Sequence, residues 1–395
     1  MAGIRVLVQG ASIAGPALAH WLHRRGAEVT VVEQAPGLRP GGQAVDARGV
    51  AKEVIRRMGL DAAVRAACTD TAGAYLVDAD GDVVETLSVE DHGGDGYIAE
   101  IEILRGDLAR VLYDDTRDSV EYRFGDRIAD LTQAADGVDV TLAGGDRRRF
   151  DLVIGADGLH SALRAKVFGP RDRYVRHLGL VLAYYSVPNE FGLDRWLVDH
   201  QDSGRSAGLR PVHDATQAIA MLCFPAAETD VPRDVDAQKR LLRERMADFG
   251  WETPRILAHL DDTGDFYLDQ VAQVVMPRWS SGRVGLLGDA AFSASAMSGG
   301  GTGLALVGAY LLAGELASAG WDPETGFAGY ERRMRDYVEA NQEIGRLHVE
   351  SILGPGPGAG PAPEPDMEAL MPIIERAVGG PELPAYEDAQ ALRSF

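Results

Sequence analysis

The feature that most narrows the fold lies at the start of the chain. Ile4-Arg5-Val6-Leu7-Val8 is a β-branched apolar run, followed at once by Gly10-Ala11-Ser12-Ile13-Ala14-Gly15-Pro16 and then by helical spacing through Leu18 and Leu22. The spacing predicts a strand, a tight turn, a helix over Ala14–Arg24 closing near Gly26, and a second strand over Glu28–Glu33. A βαβ opening of this kind commits the chain to a parallel sheet with a crossover helix.

Gly10-x-Ser12-x-x-Gly15 has Rossmann spacing with serine at the middle glycine. Gly10 permits the turn and Gly15 lets the helix lie close on the strand. The amides at Ser12, Ile13 and Ala14 open the helix and offer donors and partial positive charge to a pyrophosphate. Glu33 ends the second strand, with Gln34 after it, where a carboxylate accepts from a ribose 2′-hydroxyl and disfavours a 2′-phosphate. The ligand expected here is an adenosine diphosphate without that phosphate.

At 395 residues the chain exceeds one domain of about 150 residues, so one composite fold or two domains sharing a long interface is expected. With 46% hydrophobic and 25% charged residues it reads as an ordinary globular protein rather than a disordered one. Sixty acidic residues against 39 basic ones leave a net charge of −21, which argues against nucleic acid or an anionic membrane surface as partner. Cys68 and Cys223 form neither a CxxC nor a ligand-spaced cluster, so no metal site or disulfide framework is expected, and a reducing cytoplasm fits. No signal-peptide pattern is visible. The most apolar long stretch, 303–319, carries Glu315 and several glycines, and reads as a buried helix rather than a membrane span.

The pattern predicts an α/β fold: a discontinuous Rossmann-like domain over 1–71, 99–173 and 276–345, and an inserted, mainly β-sheet substrate domain over 72–98 and 174–275. Residues 346–395 read as the end of a helix, a Gly/Pro tract and a tail.

Three further segments carry chemistry. They are Arg105-Gly-Asp-Leu, the run from Asp151 through Asp157-Gly158 to Ser161 and Arg164, and Gly282-Arg-Val-Gly-Leu-Leu-Gly288-Asp289. With the amino-terminal turn, they closely resemble the class A flavoprotein monooxygenases, the family of para-hydroxybenzoate hydroxylase and the tetracycline-inactivating monooxygenases, over nearly the whole chain to about residue 345. The resemblance implies FAD as cofactor and NADPH or NADH as transient reductant. Dioxygen would add to the flavin at C4a, and one oxygen would pass to an aromatic or polyketide-like substrate. It implies that Asp289, after Gly288, meets the ribityl chain, that Arg105 meets the flavin or phosphate side, and that Asp157-Gly158 serves both FAD and the nicotinamide. Gly301, Thr302 and Gly303, after Ser298-Gly-Gly, would face the flavin pyrimidine with a helix N-terminus. In the family a proline is usual at Ala296 and a glutamine common at Gly300, so flavin positioning departs from the common form there. Gln43 and Arg48, in and after the Gly41-Gly42 loop, are further candidates on the adenosine or flavin side.

No second Gly-rich βαβ unit is visible, so the nicotinamide is expected to visit a groove. Tyr184, Tyr185, Arg205, His213 and Met221 are candidate substrate contacts, with His213 a possible base for a phenol. No catalytic acid or base is assigned. A monomer or homodimer is expected. Two other functions remain open: an FAD-dependent dehydrogenase or reductase without oxygen insertion, and a non-catalytic flavin-binding protein.

Overall fold

A computed structural model describes residues 3–39, 41–354 and 367–386. Most of the Gly/Pro tract after Gly354 and the tail beyond Tyr386 lie outside the described residues.

The apolar run at the start becomes the strand Arg5–Gln9, buried from Val6 onward. It sits between two parallel neighbours, Glu28–Glu33 on one side and Leu152–Gly155 on the other. Val284–Leu286 continues the parallel set beyond Leu152–Gly155, and Glu121–Phe124 extends it beyond Glu28–Glu33. A short antiparallel strand, Ser280–Ser281, completes this six-stranded sheet. Strands hidden on both faces read as apolar runs, and the central Arg5–Gln9, Leu152–Gly155 and Val284–Leu286 do. Helix Ala14–Arg24 covers one part of the sheet, and Gly301–Ser318 packs beside it. The latter is the apolar stretch singled out above. It is long and apolar enough to cross a membrane, but 78% of it is buried inside the protein, as a core helix is.

A second, seven-stranded sheet takes its strands from Gly73–Val77 and Val83–Ser88 and from four strands between Val175 and Pro225, with Tyr267–Val274 at its edge. Alternation divides its two faces. Ala183, Tyr185, Val187, Ala207, Leu209, Ala220, Leu222 and Phe224 form an outer core with Leu242, Met246, Ile256 and Leu260 from the helices Val235–Met246 and Thr253–Ala258. The opposite, inner face carries Leu180, Leu182, Tyr184 and Cys223, which cluster with Met297 and with Val349 and Ile352 near the end of the helix Pro323–Leu353. The inner face therefore looks onto the end of the parallel sheet where its turns converge.

Helix Pro323–Leu353 begins on the Asp322 cap, whose carboxylate accepts from the Thr325 amide at 2.9 Å. Helix Met367–Gly379 packs against it. The Arg57 guanidinium donates to the Tyr310 hydroxyl and to the Leu383 and Pro384 carbonyls, tying the segment after that helix to the parallel domain.

Candidate active site

Strand pairing places the three sequence motifs side by side, because Gln9 is the register partner of Gly155 and Gly155 that of Leu286. The turns that leave these strand ends therefore touch. A Cβ on Gly10, whose φ is +115°, would lie 2.3 Å from the Ala156 carbonyl oxygen, and one on Gly15 would lie 1.8 Å from the Gly10 oxygen. Only hydrogen fits at either place. The helix that starts at Ala14 has no side-chain cap and no acid in its first turn, so the amides around Ser12, Ile13 and Ala14 remain donors for an anion. Glu33 accepts from the amides of Ala11 at 2.9 Å and Ala35 at 2.8 Å, which fixes its carboxylate against the turn while leaving acceptor capacity for ribose hydroxyls. Gln34 borders a cleft of about 740 Å³ that runs to Arg39, Asp126 and Arg127, at the adenosine end.

Asp157 is braced by protein groups on several sides. Its carboxylate accepts from the Gln9 side chain at 2.7 Å, the Ser161 hydroxyl at 2.5 Å and the Ala162 and Leu163 amides at 2.8 and 3.1 Å. It caps the helix Ala162–Val167 and braces the turn at Gly158, where φ is +78°. Arg164 is buried and links the two later turns, donating to the Ala290 carbonyl at 2.9 Å and the Leu159 carbonyl at 2.6 Å. Gly288 packs on Ala14, where an added Cβ would come within 3.2 Å of the alanine's own.

Asp289 is surrounded by protein and yet exposed: crowding raises its pKa, partly offset by Arg105, while its side chain opens to solvent. Arg105 opens the helix Arg105–Thr116 and has no side-chain hydrogen bond or ion pair among the described residues. A free cation beside a solvent-facing carboxylate suits the phosphates and ribityl hydroxyls of FAD. The Arg105 amide donates to the Gln43 carbonyl at 3.0 Å, which holds Gln43 beside the start of this helix.

At the far end, Gly301–Ser318 starts without a side-chain cap or first-turn acid, and Gly301 has nothing within 4 Å of an added Cβ. Gly301, Thr302 and Gly303 thus present an open helix N-terminus. Arg48 reaches this loop: its guanidinium lies 3.0 Å from the Cβ position of Gly299, and it donates to Asp46 at 2.8 Å and to the Tyr97 carbonyl at 3.1 Å. Its side chain therefore reaches the flavin end. The glycine at 300 has a local cause, since a Cβ there would lie 1.8 Å from Asn341 Oδ1.

Of the proposed substrate contacts, Tyr184 and Met221 stand opposite each other on the inner face. Burial pushes Tyr184 up to about 12. Three others do not join them. Tyr185 points into the outer core and donates to the Ile256 carbonyl at 3.1 Å. Arg205 lies over Phe249 and pairs with Asp248 at 2.6 Å. His213 is exposed on the turn after the strand Arg205–Pro211. Strict alternation puts residues 205 and 210 on opposite faces, and that signal leads to the arginine that sequence reasoning missed. Arg210 shares the inner face with Gly208, pairs with Glu102 and has a buried Nε without a partner.

Tyr97 and Tyr267 are 43% and 41% exposed although crowding raises both hydroxyls, and Tyr97 feels the charges of Asp199, Arg210 and Glu102. Tyr267 feels the charges of Arg105 and Asp289 and is the register partner of Tyr184, so it joins the cofactor wall to the substrate wall. Burial lifts both Asp46 and Asp199 to about 6.

The chain belongs to the FAD binding domain family, whose pattern matches residues 3–343. A flavin-dependent monooxygenase from an unknown prokaryotic organism is 39% identical over 386 residues, 97% of this chain and 99% of that protein. Another, from Legionella longbeachae, is 36% identical over 98% of this chain and 99% of its own. The crystal structure of tetracycline destructase Tet(55) superposes with a TM-score of 0.86 at 38% identity, covering 97% of this chain and 99% of that one. The protein is an FAD-dependent monooxygenase of class A, an oxidoreductase that uses NAD(P)H and acts on a small molecule. The relatives' activity decides against the dehydrogenase and flavin-sequestering alternatives.

Proposed function

We propose that the enzyme oxygenates an acidic aromatic or polyketide-like molecule with dioxygen, held between the flavin ring and the inner face of the seven-stranded sheet. The observation that carries this reading is Arg210: a cation on the inner face beside Met221, Tyr184 and Tyr267, its charge felt by Tyr97, and bonded to Glu102 through one terminal nitrogen. Aromatic walls take the flat body of such a ligand, and the guanidinium takes an ionised oxygen.

The residues present fit FAD, since the glycine turns would be filled by any Cβ and Asp289 and Arg105 are unspoken for by each other's hydrogen bonds. When bound, FAD supplies electron transfer from the nicotinamide and activation of dioxygen. The Ser12–Gly15 turn would hold the pyrophosphate, Glu33 the ribose, and the helix N-terminus at Gly301 the pyrimidine edge. Arg210 orients the substrate, and the packed inner face keeps water from the reacting atoms. Asp46 and Asp199, titrating at about 6, are ionised at neutral pH and able to accept a proton from an acidic hydroxyl.

Tetracyclines are the first substrates to test, because they carry ionisable enol and phenol hydroxyls and the 36–38% identical structures are tetracycline destructases. We expect the enzyme to act as a monomer or a homodimer. Tetracycline is expected to stimulate NAD(P)H consumption by the yellow holoprotein, and Arg210→Gln to raise KM with little change in the rate without substrate. No stimulation by any acidic polycycle, or an unchanged KM in the variant, removes this reading.

A further inference from the structure

Arg210 does not hold itself in place. Its partner Glu102 is 3% exposed, and the acid's other oxygen accepts from two hydroxyls at once, Thr69 Oγ1 and Thr71 Oγ1, each at 2.6 Å. Glu102 begins the strand Glu102–Leu104, which pairs with Ala44–Asp46 of the first domain, whereas Arg210 belongs to the seven-stranded sheet. The chain thus crosses from one domain to the other: Thr69 and Thr71, Glu102, Arg210, cavity. The negative charge is needed there, because Arg210 is crowded by protein and burial opposes its charge, while Glu102 favours it. Glu102 is itself held below the ordinary carboxylate range by Arg210 and the two threonines against the cost of burial.

We propose that Glu102, gripped by Thr69 and Thr71, is the positioning residue for Arg210: it sets the guanidinium's angle and keeps its remaining donors toward the cavity, so that the threonines govern discrimination for anionic over neutral ligands. This inference rests on Arg210 meeting an anionic oxygen, as in the reading above. Neither threonine needs to touch substrate. A bidentate or forked contact depends on orientation, so an arginine freed to rotate keeps its charge and loses selectivity.

The test uses FAD-loaded full-length protein and two probes of one shape, 2-naphthoate and 2-naphthamide, with binding read from the change in flavin absorbance. Wild type is expected to prefer the anion by about tenfold or more, the scale of a charge-assisted hydrogen bond. Thr69→Val with Thr71→Val is expected to lose most of that preference by weakening naphthoate and leaving naphthamide unchanged. Thr69→Ser with Thr71→Ser, which restores the hydroxyls, is expected to keep it. Flavin content and the unfolding midpoint, measured on the same samples, serve as the folding control. If the valine pair fails to fold, the single variant Thr71→Val, which removes one of the two hydroxyls on Glu102, decides the same point: a lost preference supports the proposal and an intact one overturns it. Equal weakening of both probes, an intact preference in the valine pair, or no preference in wild type each overturns the proposal. Failure of the monooxygenase reading shows separately, as NAD(P)H consumption that no acidic polycycle stimulates in a wild type that still prefers naphthoate.

Discussion

Gly10→Ala is the sharpest perturbation of the cofactor site. The new methyl would lie 2.3 Å from the Ala156 oxygen, where carbon and oxygen ordinarily stay about 3.5 Å apart, so the turn after Arg5–Gln9 and the turn after Leu152–Gly155 must separate by about 1 Å. A non-glycine residue at φ +115° adds backbone strain of about 1–3 kcal/mol, and overpacking adds a similar amount. The sum, about 2–6 kcal/mol, falls on the turn that receives the pyrophosphate. If half of it appears in cofactor binding, FAD affinity drops by about 5- to 150-fold. The assay is titration of apoprotein by flavin fluorescence quenching, with circular dichroism as the fold check. Gly264→Ala is the control, since nothing lies within 4 Å of its Cβ position and its φ is not positive. A Gly10→Ala protein that purifies fully yellow and binds FAD within about threefold of the control would refute the packing argument.

Gly300→Gln, which installs the side chain common in the family, is expected to displace Asn341 from its bond to the Ala377 carbonyl at 3.2 Å and cost about 1–3 kcal/mol in urea unfolding, with partial recovery in Gly300→Gln/Asn341→Gly. Arg105→Leu is expected to weaken FAD by tenfold or more, roughly one charge-assisted contact, and to flatten the salt dependence of its binding. Asp199 titrates at about 6 instead of 3.8, so folding binds its proton more tightly: the associated stability is complete below about pH 4 and is lost as pH rises through 6. Asp199→Asn should therefore match wild type at pH 4 and exceed it at pH 8, by at most about 3 kcal/mol, in denaturant titrations; equal curves at both pH values would contradict the assignment.

Much of the cofactor half was legible in the chain because its determinants are local. A turn needing glycine, a helix start without a cap and a strand ending in Glu33 are each specified within a few neighbours, and parallel pairing then brings their ends together. Asp157 was legible as a fixed residue and not as to its protein partners, since the amides of Ala162 and Leu163 reach it only once the following helix has formed. The substrate half is set by which face of a strand looks inward. Arg205 and Arg210 lie five residues apart on one strand, so choosing the first excluded the second. Glu102 was invisible because its partner Arg210 lies 108 positions away, and Thr69 because it meets Glu102 only across 33 positions of folded chain. Asn341 explains Gly300 only once the long helix is folded back over the loop.

The most direct measurement is mass spectrometry of product formed by FAD-loaded enzyme, NAD(P)H and an acidic polycyclic substrate under dioxygen labelled with oxygen-18. One labelled oxygen atom per product molecule is expected, with none from labelled water. Product formed over many turnovers without the label would contradict this expectation.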